Sequence, residues 1–273
     1  MASSSPAIPG AGFLRTLYAR RTLLYQMVRR DFETRFVGSA AGWLWGLIHP
    51  LVLLLSWTFV FQWCLKVPPP PDALTQNYTV FLFCGYLPWL LFQETVQRSA
   101  NSLLENQNLI TKTVFPSELI PVSIFLSALL THALAVVLVI VMVALWLHYA
   151  SAMVVFLPVY MLLTGFLAVG FGWIFAALQV YLRDTAHVVI VILTGWFWFT
   201  PIFIDASQMP EGFRFLVKLN PMAHVVTAYR ERMLSHKLPD LEELAILTLY
   251  AVGVFALGGL VFKHLKSGFA DVL

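Results

Sequence analysis

Six stretches of this chain are apolar over about the length a helix needs to cross a bilayer: residues 43–65, 79–97, 119–147, 153–180, 186–204 and 244–262. About 20 apolar residues cover the roughly 30 Å of hydrocarbon. A segment in that medium must satisfy its own backbone polar groups, which leaves helices and closed barrels. Barrel strands alternate between lipid-facing and interior-facing residues, and these blocks do not alternate. The expectation is an all-α integral membrane protein with six transmembrane helices. Only 11% of the 273 residues are charged, against about 25% in soluble domains, so a water-facing globule would lack its polar coat.

The third and fourth blocks are long enough to tilt. Gly165, Ala168, Gly170 and Gly172 in the fourth suit close helix contact. The second is the weakest: its apolar run ends near Phe92, and Gln93 and Glu94 follow. Glu94 and Arg98, four residues apart, share a helix face and can pair.

The basic residues set the orientation. Arg15, Arg20, Arg21, Arg29, Arg30 and Arg35 precede the first block, and Arg98, Lys112, Arg183, Lys263 and Lys266 fall in segments on the same side. Lys66, Arg214, Lys218, Arg230, Arg232 and Lys237 fall on the other, mostly in one long segment, where charge weighs less. Both termini are therefore expected in the cytoplasm. The early arginines flank a membrane segment, so anionic lipid, and not nucleic acid, is the expected partner.

Residues 1–12, rich in Ser, Pro, Gly and Ala, read as a disordered tail without a cleavable signal, which leaves the first block as its own insertion signal. Over 13–38, Leu14, Leu17, Tyr18, Tyr25, Val28, Phe32 and Phe36 recur near helical spacing, and Arg15, Arg20, Arg29 and Arg30 lie mostly off that stripe. This is the pattern of a basic amphipathic helix in the cytoplasmic interface, or of a soluble helix packed on a partner. Residues 98–118 form a short polar cytoplasmic loop. Pro68 to Pro71 read as a stiff outer spacer. In 205–239, Pro210 opens one short helix and Asn220–Pro221 separates it from a second, whose Met222, Val225, Val226, Tyr229 and Met233 make one apolar face. Asp240, with Glu243 three residues on, caps the last block, and 263–273 form a cytoplasmic C-terminus.

Catalytic signatures are missing. The chain has no phosphate-binding G-x-x-x-x-G-K-[ST], no H-E-x-x-H and no G-x-S-x-G. The seven histidines show no ligand spacing, so no metal site is expected. His132, within a block, reads as a neutral, hydrogen-bonded packing residue or as an intramembrane functional group. Cys64 and Cys84 read as small core residues or as an outer-side pair. Nine tryptophans are present. Trp43, Trp63 and Trp146 fit interfacial belts, whereas Trp57 and the run Trp196, Phe197, Trp198, Phe199 lie deeper. Rings can stack on the C–H faces of sugars, so these side chains either pack the bundle or line a path along which a sugar chain slides.

The motifs taken in order resemble the membrane subunit of bacterial polysaccharide ABC exporters, the O-antigen, capsule and teichoic-acid permeases. Residues 29–50, RRDFETRFVGSAAGWLWGLIHP, are similar to that family's opening, and 85–92, GYLPWLLF, to its second-span motif. Residues 101–118, NSLLENQNLITKTVFPSE, resemble its ATPase-contacting loop, Arg183–Asp184 its charged pair between spans four and five, and 220–234, NPMAHVVTAYRERML, its external gate region. The resemblance runs from about residue 29 to 265. It implies a permease of the bacterial inner membrane, working as a homodimer with two separate ATP-binding cassette subunits and moving a lipid-linked polysaccharide through a channel between the two copies. ATP and magnesium would belong to the partner, with no cofactor and no catalytic residue in this chain. It also implies roles: channel lining by Trp45, Trp57, Phe61, Trp196, Phe197 and Phe199; ATPase coupling by Leu104, Asn106, Asn108, Leu109, Lys112 and Phe115; lipid or pyrophosphate contact by Arg29, Arg30 and Arg35; and an external gate at Asn220, Pro221, Tyr229 and Arg230. Guanidinium groups suit phosphate oxygens, although positive-inside anchoring accounts for the same arginines. The other readings are export of drugs or small lipids by the same fold, and a lipid-modifying membrane enzyme built on Asp205, Glu211, His224, Arg230 and Glu231.

Overall fold

The computed structural model describes residues 19–36, 38–40, 42–67, 74–112, 115–204 and 209–272. The N-terminal tail, Leu14 to Tyr18, the proline run and Asp205 lie outside the described residues. Every regular element among those described is helical: α1 (Arg21–Phe36), α2 (Trp45–Thr58, continued by π-helical turns at Phe59–Cys64), α3 (Tyr78–Glu105), α4 (Gln107–Lys112), α5 (Leu119–Leu147), α6 (Leu157–Tyr181, entered through a 3-10 turn at Ala152–Phe156), α7 (Thr185–Phe199), α8 (Glu211–Leu219), α9 (Pro221–Leu234), α10 (Leu241–Lys266) and α11 (Phe269–Val272).

Among the described residues, five segments are long and apolar enough to cross a membrane: Trp45–Cys64, Tyr78–Glu105, Leu119–Leu145, Ala152–Tyr181 and Leu241–Lys266. The sixth block is shorter as a helix than as a hydropathy run. The 15 residues of α7 reach about 22 Å. The helix stops because Thr200 precedes Pro201, which pushes it to extended backbone (ψ 134°). The second block is longer as a helix than as a run. Nothing breaks α3 at residue 97, and it continues through Arg98 to a C-cap at Asn106, so the polar segment 98–118 begins inside a helix.

Capping follows the sequence. The Asn77 side chain accepts from Val80 N, and Asp240 Oδ1 accepts from Glu242 N at 2.9 Å. Asn220 Oδ1 accepts from Met222 N, with Pro221 at the first helical position of α9.

Helix α3 is the hub. It packs on α6, α5, α9, α7 and α2, and nearly every residue from Tyr78 to Phe92 is buried. One apolar cluster surrounds its N-terminal half, with Tyr160, Leu193, Val226 and Tyr229. A second joins Leu91 and Leu103 to Met27, Leu119, Phe125, Trp173, Phe262 and Phe269. By contrast, Leu54 and Thr58 are the buried residues of α2, and Val52, Leu55, Phe59 and Trp63 point outward.

Helices α6 and α10 meet through glycine. A Cβ on Gly170 would lie 2.6 Å from the Val254 carbonyl oxygen, and one on Gly258 would collide with the Gly170 backbone. Backbone cannot step aside as a side-chain tip can. Gly258→Ala should therefore destabilise the chain by about 2 kcal/mol and lower its melting temperature in detergent. Gly253→Ala, where a Cβ meets nothing within 4 Å, should leave the melting temperature unchanged or raise it. Equal effects would contradict this packing.

Candidate functional site

At one end of the bundle α1 lies against α3 and α5, and charged side chains fasten it. Asp31 and Arg35 are one turn apart on α1, as are Glu94 and Arg98 on α3. Set antiparallel, they interlock: Arg35 pairs with Glu94, and Arg98 Nη2 donates to Asp31 Oδ1 at 2.5 Å. Within each helix the pairs Arg35–Asp31 and Arg98–Glu94 are both at 3.7 Å. Desolvation holds the Arg35 guanidinium below its ordinary value, an effect that Glu94 and Asp31 oppose. Arg29 lies on the solvent side, where its hydrogen bond to Glu33 at 2.7 Å raises its pKa. Below the ladder, Arg30 Nη2 donates to Asn106 Oδ1 at 3.0 Å. Asn106 is the C-cap of α3 and accepts at its carbonyl from Leu109 N and Ile110 N at the start of α4. Helix α1 thus connects through Asn106 to α4, which presents Asn108 and Lys112 to solvent and keeps Leu109 partly covered. Leu104 and Phe115, flanking α4, are also partly buried.

The far side of α4 touches α11, whose Phe269 is buried in the second cluster. Lys266 and Glu118 pair at 2.5 Å. The short polar helix is therefore linked to α1 through Asn106 and touches the C-terminal segment, to which the sequence reading gave no role.

The opposite end is built around α9. Its expected apolar face, Met222, Val225, Val226, Tyr229 and Met233, is wholly buried. Asn220 does more than cap: its Oδ1 also accepts from Trp196 Nε1 at 2.8 Å, and its Nδ2 donates to Thr200 Oγ1 at 3.0 Å, which ties the end of α7 to the start of α9. Tyr229 OH and His132 Nε2 are hydrogen-bonded at 3.0 Å inside the bundle, as a packing histidine would be. Arg230 is buried as well. Its guanidinium donates to the carbonyls of Phe81 (3.2 Å), Pro201 (2.6 Å) and Ile202 (2.5 Å), and lies 3.6 Å from the Phe81 ring centroid. It fits because residue 85 is glycine: a Cβ there would be 2.5 Å from Nη2. Among the residues expected at an external gate, Arg230 is thus a clasp joining α3, α9 and the turn after α7.

A charge ladder at one end, a short helix beside it and a bundle of long apolar helices together suit a membrane protein. A family model described as ABC-2 type transporter matches residues 22–234. The chain belongs to that family. Its relatives include an O-antigen export system permease protein RfbA from Myxococcus xanthus, 29% identical over 94% of this chain and 98% of that protein. One from Klebsiella pneumoniae is 28% identical over 92% and 95%. The polysialic acid transport protein KpsM of Escherichia coli is 22% identical over 86% and 90%.

In this ABC-2 type transporter the aromatic residues divide into two sets. Trp57, Phe61, Trp196 and Phe197 are half-buried in a continuous stack with Tyr86, Trp89, Phe92 and Phe203. Trp57 lies 4.8 Å from Phe203 and 4.9 Å from Tyr86, and Trp196 lies 5.2 Å from Phe92. Trp45 and Phe199, each 54% exposed, point outward instead, as do Trp198, from the same aromatic run, and Phe59, which the sequence reading did not single out. Tyr25, expected on the apolar stripe of α1, is exposed; Leu23, Leu24 and Met27 make the contact with the second cluster. Cys64 is exposed and Cys84 buried, and both are free thiols.

Sequence reasoning also missed Gln179. Its Oε1 accepts from Ala186 N at 2.7 Å, and its Nε2 donates to Asn101 Oδ1 and to the Arg183 carbonyl. It thereby fixes the α6–α7 corner that carries the exposed Arg183 and Asp184. The ladder had a readable signal: two acid–base pairs at four-residue spacing, Asp31/Arg35 and Glu94/Arg98, complement each other only when antiparallel.

Proposed function

We propose that this chain is the permease half of an ATP-driven exporter of a lipid-linked polysaccharide, O-antigen foremost. The observation that carries the reading is the likeness along almost the whole chain to relatives named as O-antigen export permeases. Two copies would form the channel, with two separate ATP-binding subunits supplying ATP and magnesium, since this chain carries no phosphate-binding loop. Six spans fit this reading once α7 and the turn through Ile204 together count as the fifth, and both termini then lie in the cytoplasm of the bacterial inner membrane.

Each part of the molecule then has work to do. The ATPase engages α4 through Leu104, Asn106, Asn108, Leu109, Lys112 and Phe115, and its movement passes through Asn106 and Arg30 to α1, and through α3 to the opposite end. A device of this kind can shift the bundle only by binding its two states differently. The outward faces of α2 and α7, sparsely covered within one copy, line the channel between copies with Trp45, Phe59, Trp198 and Phe199. The stack of Trp57, Phe61, Trp196 and Phe197 stands behind them. Arg29, with exposed Arg20 just before the same basic helix, meets the phosphates of the carrier, while Arg30 and Arg35 point inward to Asn106 and Glu94. Asn220, Pro221, Tyr229 and Arg230 brace the external gate.

Capsule export is the second reading, favoured by KpsM and by the capsule polysaccharide export inner-membrane protein CtrC of Neisseria meningitidis, 22% identical over 80% of this chain. Deleting the chain from its host should remove surface polysaccharide and leave lipid-linked polymer on the cytoplasmic side. The chemistry of the stranded polymer decides between O-antigen and capsule. Surface polysaccharide at wild-type level would contradict both.

A further inference from the structure

Between α1, α3 and α5 lies a cavity of about 580 Å³, within the roughly 300–1,000 Å³ of small-molecule sites. Its wall carries balanced charge. Arg30 and Arg98 face it with Asp31 and Glu105. Arg98 and Asp31 neutralise each other at 2.5 Å. Among the described residues the Arg30 guanidinium bonds only the neutral Asn106 amide, and the Glu105 side chain has no hydrogen bond or ion pair. One cation and one anion thus open onto the same space without meeting. A simple anion would satisfy Arg30 and be repelled by Glu105, and a simple cation would meet the reverse. A molecule carrying both charges satisfies both.

The rest of the lining is mostly polar, from Thr34, Gln97, Asn101, Ser102, Asn106 and Ser123, but it includes one apolar patch. Ile120 and Ile124 lie in the first two turns of the long apolar helix α5, and Met27 faces them from α1. This side of the cavity is therefore at the hydrocarbon boundary, and its occupant has a polar zwitterionic end and an apolar end.

We propose that the cavity is the headgroup site of a phospholipid whose zwitterion bears a primary ammonium, the phosphatidylethanolamine class, with its phosphate on Arg30, its ammonium on Glu105 and its glycerol end on Met27, Ile120 and Ile124. A primary ammonium donates hydrogen bonds, and Glu105 and the Ser102 and Asn101 side chains beside it are acceptors. A quaternary ammonium cannot use them. The proposal rests on the membrane reading of α5 and α1. The bound lipid would wedge the interface helix against the span on which it rides.

The test uses the full chain purified in detergent and offered phosphatidylethanolamine, phosphatidylcholine and phosphatidylglycerol at equal mole fractions, with retained lipid read by native mass spectrometry. One phosphatidylethanolamine per chain should be retained, favoured about tenfold over each of the other two. Glu105→Gln should abolish that preference, and Arg30→Gln should weaken all three lipids alike. Equal retention of the three lipids, or an undiminished preference in Glu105→Gln, would overturn the site. Displacement of the lipid by soluble glycerophosphoethanolamine would overturn its lipid nature. If the variants misfold, the headgroup competition on the unaltered chain decides alone. Retention is measured without transport, so its failure leaves the exporter reading standing, and a transport failure with the preference intact counts against the exporter reading alone.

Discussion

Arg230→Met should cost this protein on the order of 4 kcal/mol and leave little folded chain after extraction into detergent. Methionine keeps an unbranched apolar stem, shorter than arginine's, but removes the donors that the carbonyls of Phe81, Pro201 and Ile202 accept from. Buried carbonyls have no water to turn to, least of all within a bilayer. Those carbonyls belong to the first turn of α3 and to the turn that closes α7, so their loss separates α9 from both. Arg230→Lys should recover only part of the stability, because one ammonium cannot present the planar fork of donors that reaches separate carbonyls. Gly85→Leu should reproduce the defect with Arg230 intact, since its Cβ would occupy the place of Nη2. Lys218→Met, on an exposed position of α8, is the control and should be near neutral. Thermal unfolding in detergent checks the series, and an Arg230→Met chain melting with the unaltered protein would refute the clasp.

Glu94→Arg should reduce export by more than tenfold while leaving the spans assembled. It sets a third guanidinium against Arg35 and Arg98, whose side chains are only 14% and 31% exposed. Like charges with little water between them repel strongly, so α1 lifts from α3, and Arg30 is drawn away from Asn106 and α4. Trypsin should then cut more readily at Arg35, whose side chain is only 14% exposed in the unaltered protein. The stronger form of this prediction is rescue. Inverting all four members (Asp31→Arg, Arg35→Glu, Glu94→Arg and Arg98→Glu) restores every opposite-charge contact in the ladder, and should recover most of the export. If the inverted ladder stayed as defective as Glu94→Arg alone, the charges would be acting individually and not as a ladder.

These two sites mark where sequence reading stops. Hydropathy located the five long apolar helices because apolar length is a local property, and Asp240, Asn220–Pro221 and the apolar face of α9 were legible for the same reason: a cap or a stripe needs only its neighbours. Segment ends were less legible. A hydropathy run measures where lipid-compatible residues end, whereas a helix ends where something breaks it. Hence α3 runs to Asn106, and α7 stops before Pro201. Contacts across the chain were not visible one residue at a time. Arg230 in an external segment reads as a gate residue, and only the carbonyls brought beside it by α3 and α7 reveal a clasp. The aromatic residues show the limit most sharply. Adjacent helix positions point about 100° apart, and in a block apolar all round nothing in the sequence chooses between Phe197, packed inward, and Trp198, turned outward.

The central claim is that this bundle moves polymer only when driven by a partner that burns ATP. The direct measurement is translocation in sealed vesicles containing the purified chain with or without its ATP-binding subunit, with lipid-linked polymer supplied on the outer face and protected polymer counted inside. Transport should require both proteins and ATP and should stop when α4 is altered at Asn108 and Lys112. Polymer carried inward by this chain alone, without nucleotide, would contradict the account.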